Sequence, residues 1–235
     1  MKREREKAGK FLPARFLVPA ALLLALSTLG SSRAALSYYS ENYQARMELY
    51  HLGTALIENG EEVSFWTYDE ETGEWEGKSP GKLLEGLEEE GSLIPGKEYQ
   101  EELRVKNTGS VDAYVRVILY RSFRDGLGEK APGVDPGLMR IGFAGNGWEA
   151  DEETATRERM ILYYREPLKP GETTEPLTKS ISLNGDILRL GLGEESLEAE
   201  LRAEADAVQA RQGEKAVRSA WGVEVEISPG GTLSL

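Results

Sequence analysis
A single histidine, His51, and the absence of cysteine narrow the chemistry open to this chain. A Ser-His-Asp triad needs an imidazole held between a nucleophile and an orienting carboxylate, and a His-Glu-x-x-His zinc site needs two imidazoles. One histidine cannot build the second, and His51, between Tyr50 and Leu52 in a strand-like run, reads as a half-buried sheet residue. Without cysteine there is no thiolate nucleophile and no sulfur-ligated metal. Asp and Glu number 41, so a carboxyl pair for glycoside hydrolysis has ample raw material. Such a pair needs one carboxyl buried enough to hold its proton near neutral pH. Most of these carboxylates fall in solvated runs such as Asp69-Glu-Glu71, Glu88-Glu-Glu90 and Asp151-Glu-Glu153, and nothing in the sequence marks a buried one.

Other candidate chemistry is equally sparse. Oxygen ligands for calcium are plentiful, but no Asp-x-Asp-x-Asp-Gly loop gathers them, so no cofactor or metal is expected on a motif. Gly142-Phe-Ala-Gly-Asn-Gly147 has the glycines of a phosphate loop without the strand and helix that such a loop joins, and reads as a turn. Trp66, Trp75, Trp148 and Trp221 are either core anchors or rings on which a sugar could stack. Trp75, flanked by Glu74, Glu76 and Gly77, is the candidate surface-binding residue. No catalytic constellation emerges, and the chain reads as a non-enzyme.

The elements that would position these residues are mostly strands. From Tyr99 to Asn107, Tyr99, Leu103 and Val105 share one face, with Arg104 and Lys106 on the other. Asn107-Thr-Gly-Ser110 reads as a turn into a strand from Val111 to Phe123, the two forming a hairpin or a sandwich corner. Further strands are expected over Met160 to Arg165, Thr178 to Leu183, Glu198 to Ala210 and Val223 to Ile227. Pro95-Gly96 and Pro170-Gly171 are turns in which proline presets φ and glycine supplies its positive value. The stretch from Arg124 to Thr156 reads as a long connection. Short helices are expected at Gly213 to Ala220 and around Leu83, Leu84 and Leu87. Glu194 to Ala210 also has the Glu, Ala, Leu and Arg content of a helix, but the alternation of Leu201, Ala203, Ala205 and Ala207 favours a strand. The whole is an all-β, jelly-roll or immunoglobulin-like antiparallel sandwich with long loop insertions and one or two short helices.

The first 34 residues have a different character. Lys2, Arg3, Arg5, Lys7 and Lys10 precede an apolar stretch from Phe16 to Leu29, and Ser32 and Ala34 offer small side chains three and one residues before a cleavage point. This is the pattern of a secretory signal helix cut between Ala34 and Ala35, leaving one domain over residues 35–235. The leader carries seven of the 28 basic and two of the 41 acidic residues, so the domain has 21 and 39, a formal net charge of −18. That charge disfavours nucleic acid and anionic lipid as partners, leaving the uncleaved leader as the membrane contact. An exported chain without disulfides must rely on burial and hydrogen bonding. After cleavage the N-terminus begins Ala35-Leu-Ser-Tyr-Tyr-Ser-Glu-Asn42. It is compatible with a first strand of the domain's own sheet or with a strand added to a neighbour's sheet edge.

Leu-Ile-Pro-Gly-Lys-Glu-Tyr99, then Leu103-Arg-Val-Lys-Asn-Thr-Gly-Ser-Val-Asp-Ala-Tyr-Val-Arg-Val117, together with the leader, resemble the TasA/camelysin-like proteins of Gram-positive bacteria. The likeness extends to Glu158-Arg-Met-Ile-Leu-Tyr-Tyr164, Leu168-Lys-Pro-Gly-Glu-Thr-Thr174, Ala205-Asp-Ala-Val-Gln-Ala210 and Ala220-Trp-Gly-Val223. It implies a jelly-roll-like sandwich, export through a SipW-type signal peptidase, and a place in the cell wall or extracellular biofilm matrix. In fibre-forming relatives a cleaved N-terminal strand completes the next subunit. On this chain that role would fall on Ala35, Leu36, Ser37, Tyr38 and Tyr39, continuing to Asn42. The insertions at 65–94 and 124–158 depart from the fibre-forming pattern, and no His-rich motif supports the metalloprotease activity described for camelysin-like members. The expected function is therefore a secreted structural protein that self-associates. The alternatives are a monomeric surface module that binds glycan or protein through its loops, and, third, a secreted hydrolase.

Overall fold
Strand pairing starts from Asn59-Gly60. Both residues take positive φ, 50° and 91°, which a two-residue hairpin turn demands and which Asn and Gly tolerate. The turn joins β1 (Thr54–Glu58) to β2 (Glu61–Asp69), which pairs in turn with β3 (Glu74–Lys78). The computed structural model describes residues 51–69, 72–78, 83, 84, 87, 93–190 and 197–235, with the backbone alone at Tyr68, Asp69 and Trp75. These belong to one compact unit, Tyr50–Leu235. The expected signal helix lies outside them.

β1 also pairs with β5 (Leu103–Asn107), while β4 (Glu98–Gln100) pairs with β10 (Thr178–Leu183), and β10 with β7 (Met139–Phe143). These pairings form one layer. Ile181 faces Tyr99, Leu177 N–H donates to Leu103 C=O at 2.8 Å, and Thr174 N–H donates to Val105 C=O at 2.8 Å. The expected strand from Tyr99 to Asn107 is thus real but broken at Glu101-Glu102. It runs beside 172–183, which is broken at the matching level.

The second layer is built on β6 (Ala113–Arg124), with order β11-β6-β9-β8, where β8 is Trp148–Ala150, β9 is Arg159–Tyr164 and β11 is Glu198–Gln209. β5 and β6 do not pair, so the Asn107–Ser110 turn is a corner between layers rather than a hairpin. β6 and β11 are in register over all twelve residues. That long ladder decides the conformation of β11: its Glu/Ala-rich sequence suits a helix, but pairing and burial of Leu201 and Ala203 hold it extended.

Leu56, Leu103, Val105, Met139 and Ile181 of the first layer meet Val115, Val117, Leu119, Phe123, Leu162 and Leu201 of the second to form the main core. The chain is an all-β antiparallel sandwich. A smaller cluster lies on the far side of the second layer. Tyr114, Ile161 and Tyr163, out of phase with the main core, are buried there under α1 (Gly213–Trp221) and the hairpin of β12 (Glu226–Ile227) and β13 (Leu233–Ser234). The Tyr163 and Trp221 rings are 5.5 Å apart, and the Arg116 guanidinium lies 5.0 Å from the Trp221 ring centre.

Several expectations need correction. The 124–156 stretch is no plain connection: β7 and β8 lie inside it, with a 3-10 turn at Pro136–Leu138. The insertion read over 65–94 contains most of β2 and all of β3, in which Trp75 is the single apolar residue. Leu83, Leu84 and Leu87 form turns rather than a helix, with Leu84 at φ 76°. The first two are buried in the main core. A 3-10 segment at Gly185–Leu190 was not expected. Of Val223 to Ile227 only the last two residues are strand, and His51 sits before β1 rather than in a strand.

Candidate strand-acceptor edge and a buried carboxyl pair
Two features stand out beyond the packing. The first is the outer side of β11. Among the described residues its ladder is with β6 alone. In an antiparallel pair every second residue turns its N–H and C=O away from its partner. Ala210 N–H donates to Asp112 C=O on the β6 side, whereas Ala205 C=O accepts the Thr54 hydroxyl at 3.1 Å. The odd-numbered residues of β11 are therefore the outward set. Their side chains, Leu201, Ala203, Ala205 and Ala207, face the main core, so three small residues line the rim between the layers. The charged residues sit on the opposite face and are drawn sideways into pairs: Arg124 with Glu200 at 2.9 Å and Arg116 with Asp206 at 2.9 Å. The Thr54 bond also shows that the chain enters β1 beside the middle of β11.

The second feature is a pair of buried carboxyls. Glu101 is 1 % exposed and Glu58 7 %. Asn59 Nδ2 donates to Glu101 Oε2 at 2.9 Å, and Asn59 Oδ1 accepts the Glu102 N–H at 2.9 Å. Glu58 Oε1 accepts the Leu84 N–H at 2.6 Å. Burial pushes the Glu101 carboxyl up to about 8; the Asn59 bond opposes the rise, and the charge and hydrogen bond of Glu58 add to it. Glu101 Oε1 accepts no N–H or O–H from its surroundings. Its raised pKa favours the protonated form of this buried carboxyl near neutral pH. Glu101 has the raised pKa that a general acid needs, yet it and Glu58 are both buried, whereas a hydrolase presents its carboxyls to a sugar in an open cleft.

Sequence reasoning missed this pair, although a signal was present. Glu101 falls in phase with Tyr99, Leu103 and Val105, and a carboxyl on the core side of an alternating strand has to be protonated or paired. The expected sites lie elsewhere or outside the described residues. Ala34 and Ala35 at the cleavage point, and Leu36, Ser37, Tyr38 and Tyr39 of the donor segment, are outside them. Trp75 falls in β3 opposite Tyr68, but its side chain is not among those described. Trp66, directly across from Gly77, is 55 % exposed. A Cβ on Gly77 would fall 1.9 Å from the Trp66 ring, so the glycine makes room for the indole. Trp148 is a core anchor: its Nε1 donates to Glu175 C=O at 3.0 Å and its ring lies 5.1 Å from that of Tyr164. Gly142 lies within β7, where a Cβ would meet Ser180 Oγ at 2.4 Å, and Gly147 has φ 73° beneath the Tyr164 ring. Close packing and turn geometry account for these glycines. Among the described residues no group of three His, Cys, Asp or Glu is placed to hold a metal, and no helix is long and apolar enough to cross a membrane. No protein-family model, curated protein or solved structure matches this chain.

Proposed function
We propose that this is an exported structural protein of the cell surface or extracellular biofilm matrix, assembled by addition of an N-terminal strand from one copy to the β11 edge of the next. The observation that carries the reading is the twelve-residue β11, laddered on one side among the described residues and rimmed by alanines, with the chain entering β1 alongside it. An edge strand offers a row of main-chain donors and acceptors, and small residues at the rim leave room for the side chains of an added strand. The leader pattern supports secretion and cleavage after Ala34 by a SipW-type signal peptidase. The segment from Ala35 to Tyr39 supplies the added strand. A chain beginning at Ala35 is expected to form polymers visible by electron microscopy, and one beginning at Tyr43 to remain a folded monomer. Equal polymerisation of both would defeat the reading.

The exposed Trp66 favours a second reading, a surface module that binds glycan by ring stacking. Here Trp66→Ala, which leaves the core intact, is expected to weaken glycan binding by about tenfold or more, as an aromatic contact of ~1.5 kcal/mol implies. Glycan arrays and calorimetry on wild type and variant would measure it. Unchanged affinity removes Trp66 from the binding surface.

A further inference from the structure
We propose that Asn146 is a self-modification site, at which the folded protein slowly exchanges a side-chain amide nitrogen for a water oxygen and gains an acidic residue, while the same dipeptide elsewhere in the chain is locked by the fold. Asn-Gly occurs three times, at Asn59-Gly60, Asn146-Gly147 and Asn184-Gly185. Glycine has no side chain to crowd its main-chain nitrogen, which can therefore approach the preceding side-chain amide closely. That nitrogen attacks the amide carbon, Cγ, and a five-membered imide forms as the bond from Cγ to the side-chain nitrogen breaks. The glycine N–H gives its proton to solvent, and the departing nitrogen takes one from water and leaves as ammonia. Water then opens the imide at either carbonyl. Opening at Cγ leaves aspartate. Opening at the main-chain carbonyl leaves isoaspartate, whose main chain is one carbon longer.

The surroundings of the three asparagines differ. Asn59 is held at both ends of its amide: Nδ2 donates to Glu101 Oε2 and Oδ1 accepts the Glu102 N–H, both at 2.9 Å, while its own N–H donates to Glu102 C=O at 2.8 Å. Turning Cγ toward the Gly60 nitrogen breaks both side-chain bonds and takes Asn59 out of its left-handed conformation at φ 50°. Asn184 is held less firmly. Its Oδ1 accepts the Asp186 N–H at 3.1 Å. Its C=O, in the peptide unit that carries the Gly185 nitrogen, accepts the Ile187 N–H at 3.1 Å in the 3-10 segment. Asn146 lies in an exposed bend between β7 and β8, and among the described residues no hydrogen bond fixes its side chain. The bend is anchored at its two ends, where Ala144 N–H donates to Leu177 C=O at 3.0 Å and Gly147 C=O accepts the Arg165 N–H at 2.8 Å. Neither anchor engages the peptide unit between Asn146 and Gly147. The space beside Gly145 is open, so the Asn146 side chain can rotate and water can reach the imide.

Incubation of the full-length chain in mildly alkaline buffer, followed by peptide mapping with mass spectrometry, tests the ranking. In the native protein, conversion at Asn146 is expected to be at least ~10-fold faster than at Asn59, with Asn184 between them, because each hydrogen bond that must open first lowers the reactive population. In strong denaturant the three rates are expected to converge, since the shared dipeptide alone then sets them. Asn146→Ser changes an exposed bend and leaves the core untouched, so the variant is expected to fold as the wild type does. The acidic form that the native wild type accumulates on ion-exchange chromatography is expected to be lost in this variant. Native rates at Asn146 and Asn59 that are equal overturn the proposal. So does an Asn146 that stays intact in the native protein for the time in which the denatured chain converts at all three sites, or an acidic form that persists in Asn146→Ser at the wild-type rate.

Discussion
Asn107→Ala is expected to lower stability by about 3 kcal/mol, and the melting temperature by about 6–12 °C for a domain of this size. Asn107 is completely buried at the corner between the two layers. Its Nδ2 donates to Val111 C=O at 2.8 Å and to Leu168 C=O at 2.9 Å, and its Oδ1 accepts the Gly109 N–H at 2.9 Å. Leu168 C=O keeps a second partner, the Ala113 N–H, so alanine leaves the half-buried Val111 C=O and the buried Gly109 N–H without the Asn107 side chain. The corner also anchors the start of the domain: Ser110 N–H donates to His51 C=O at 3.0 Å, and a Cβ on Gly109 would sit 2.7 Å from that same oxygen. Asn107→Asp is the sharper test. It is the same size and keeps the bond to Gly109, but it turns a carboxylate oxygen toward two carbonyls, so it should cost as much as alanine. Thermal unfolding by circular dichroism measures both, and an Asp variant melting within about 2 °C of wild type would refute the assignment.

Thr178→Val is expected to cost about 2–3 kcal/mol, or roughly 4–10 °C, despite a nearly unchanged volume. The hydroxyl stands where the ladder between 98–107 and 172–183 is broken. It takes the Leu103 N–H that no main-chain carbonyl reaches and satisfies the Glu101 C=O in return. Thr174, also fully buried, does half of this four residues earlier by accepting the Val105 N–H at 3.0 Å. Threonine at these two positions substitutes side-chain groups for missing main-chain ones, and valine cannot. Thr178→Ser, which retains the hydroxyl, should lose only about 1 kcal/mol, the value of one buried methyl. Thr174→Val should add its own penalty nearly independently. Denaturant titrations of the wild type and these three variants would give the differences. Equal midpoints for Thr178→Val and Thr178→Ser would show that the hydroxyl carries no weight.

These two residues show where sequence reasoning reached and where it stopped. The Asn107–Ser110 turn was legible because Asn, Gly and Ser in succession between alternating strands have few other uses. The alternation of Val115, Val117 and Leu119 placed β6, and the run of 213–220 placed α1 within one residue. The acid pair was not legible in the same way. Glu101 was in phase with a core face, but whether a strand continues, bends or exposes that face depends on what packs against it. Glu58, whose charge adds to the rise of Glu101, is 43 residues away and precedes the Asn59-Gly60 turn whose Asn59 bonds Glu101. Likewise, β3 was hidden because a single apolar residue sets no alternation, and β2 because the adjacent Phe65 and Trp66 fall on opposite faces and blur its period.

What the sequence determined by itself is local in origin: the leader pattern, a composition with one histidine and no cysteine, the acidic net charge, the turns at Pro-Gly and Asn-Thr-Gly, and strands wherever one face is apolar every second residue. What only the tertiary structure decided is non-local. It chose strand over helix for β11, because twelve paired residues on β6 outweigh intrinsic propensity. It split one expected strand at Glu101 and repaired the break with threonine hydroxyls. It also buried Tyr114 and Tyr163 on the second face of the sheet, because α1 returns to cover them. The physical reason is common to all three: a residue's propensity is worth tenths of a kcal/mol, whereas closing or leaving open a buried hydrogen bond or apolar face is worth several times more.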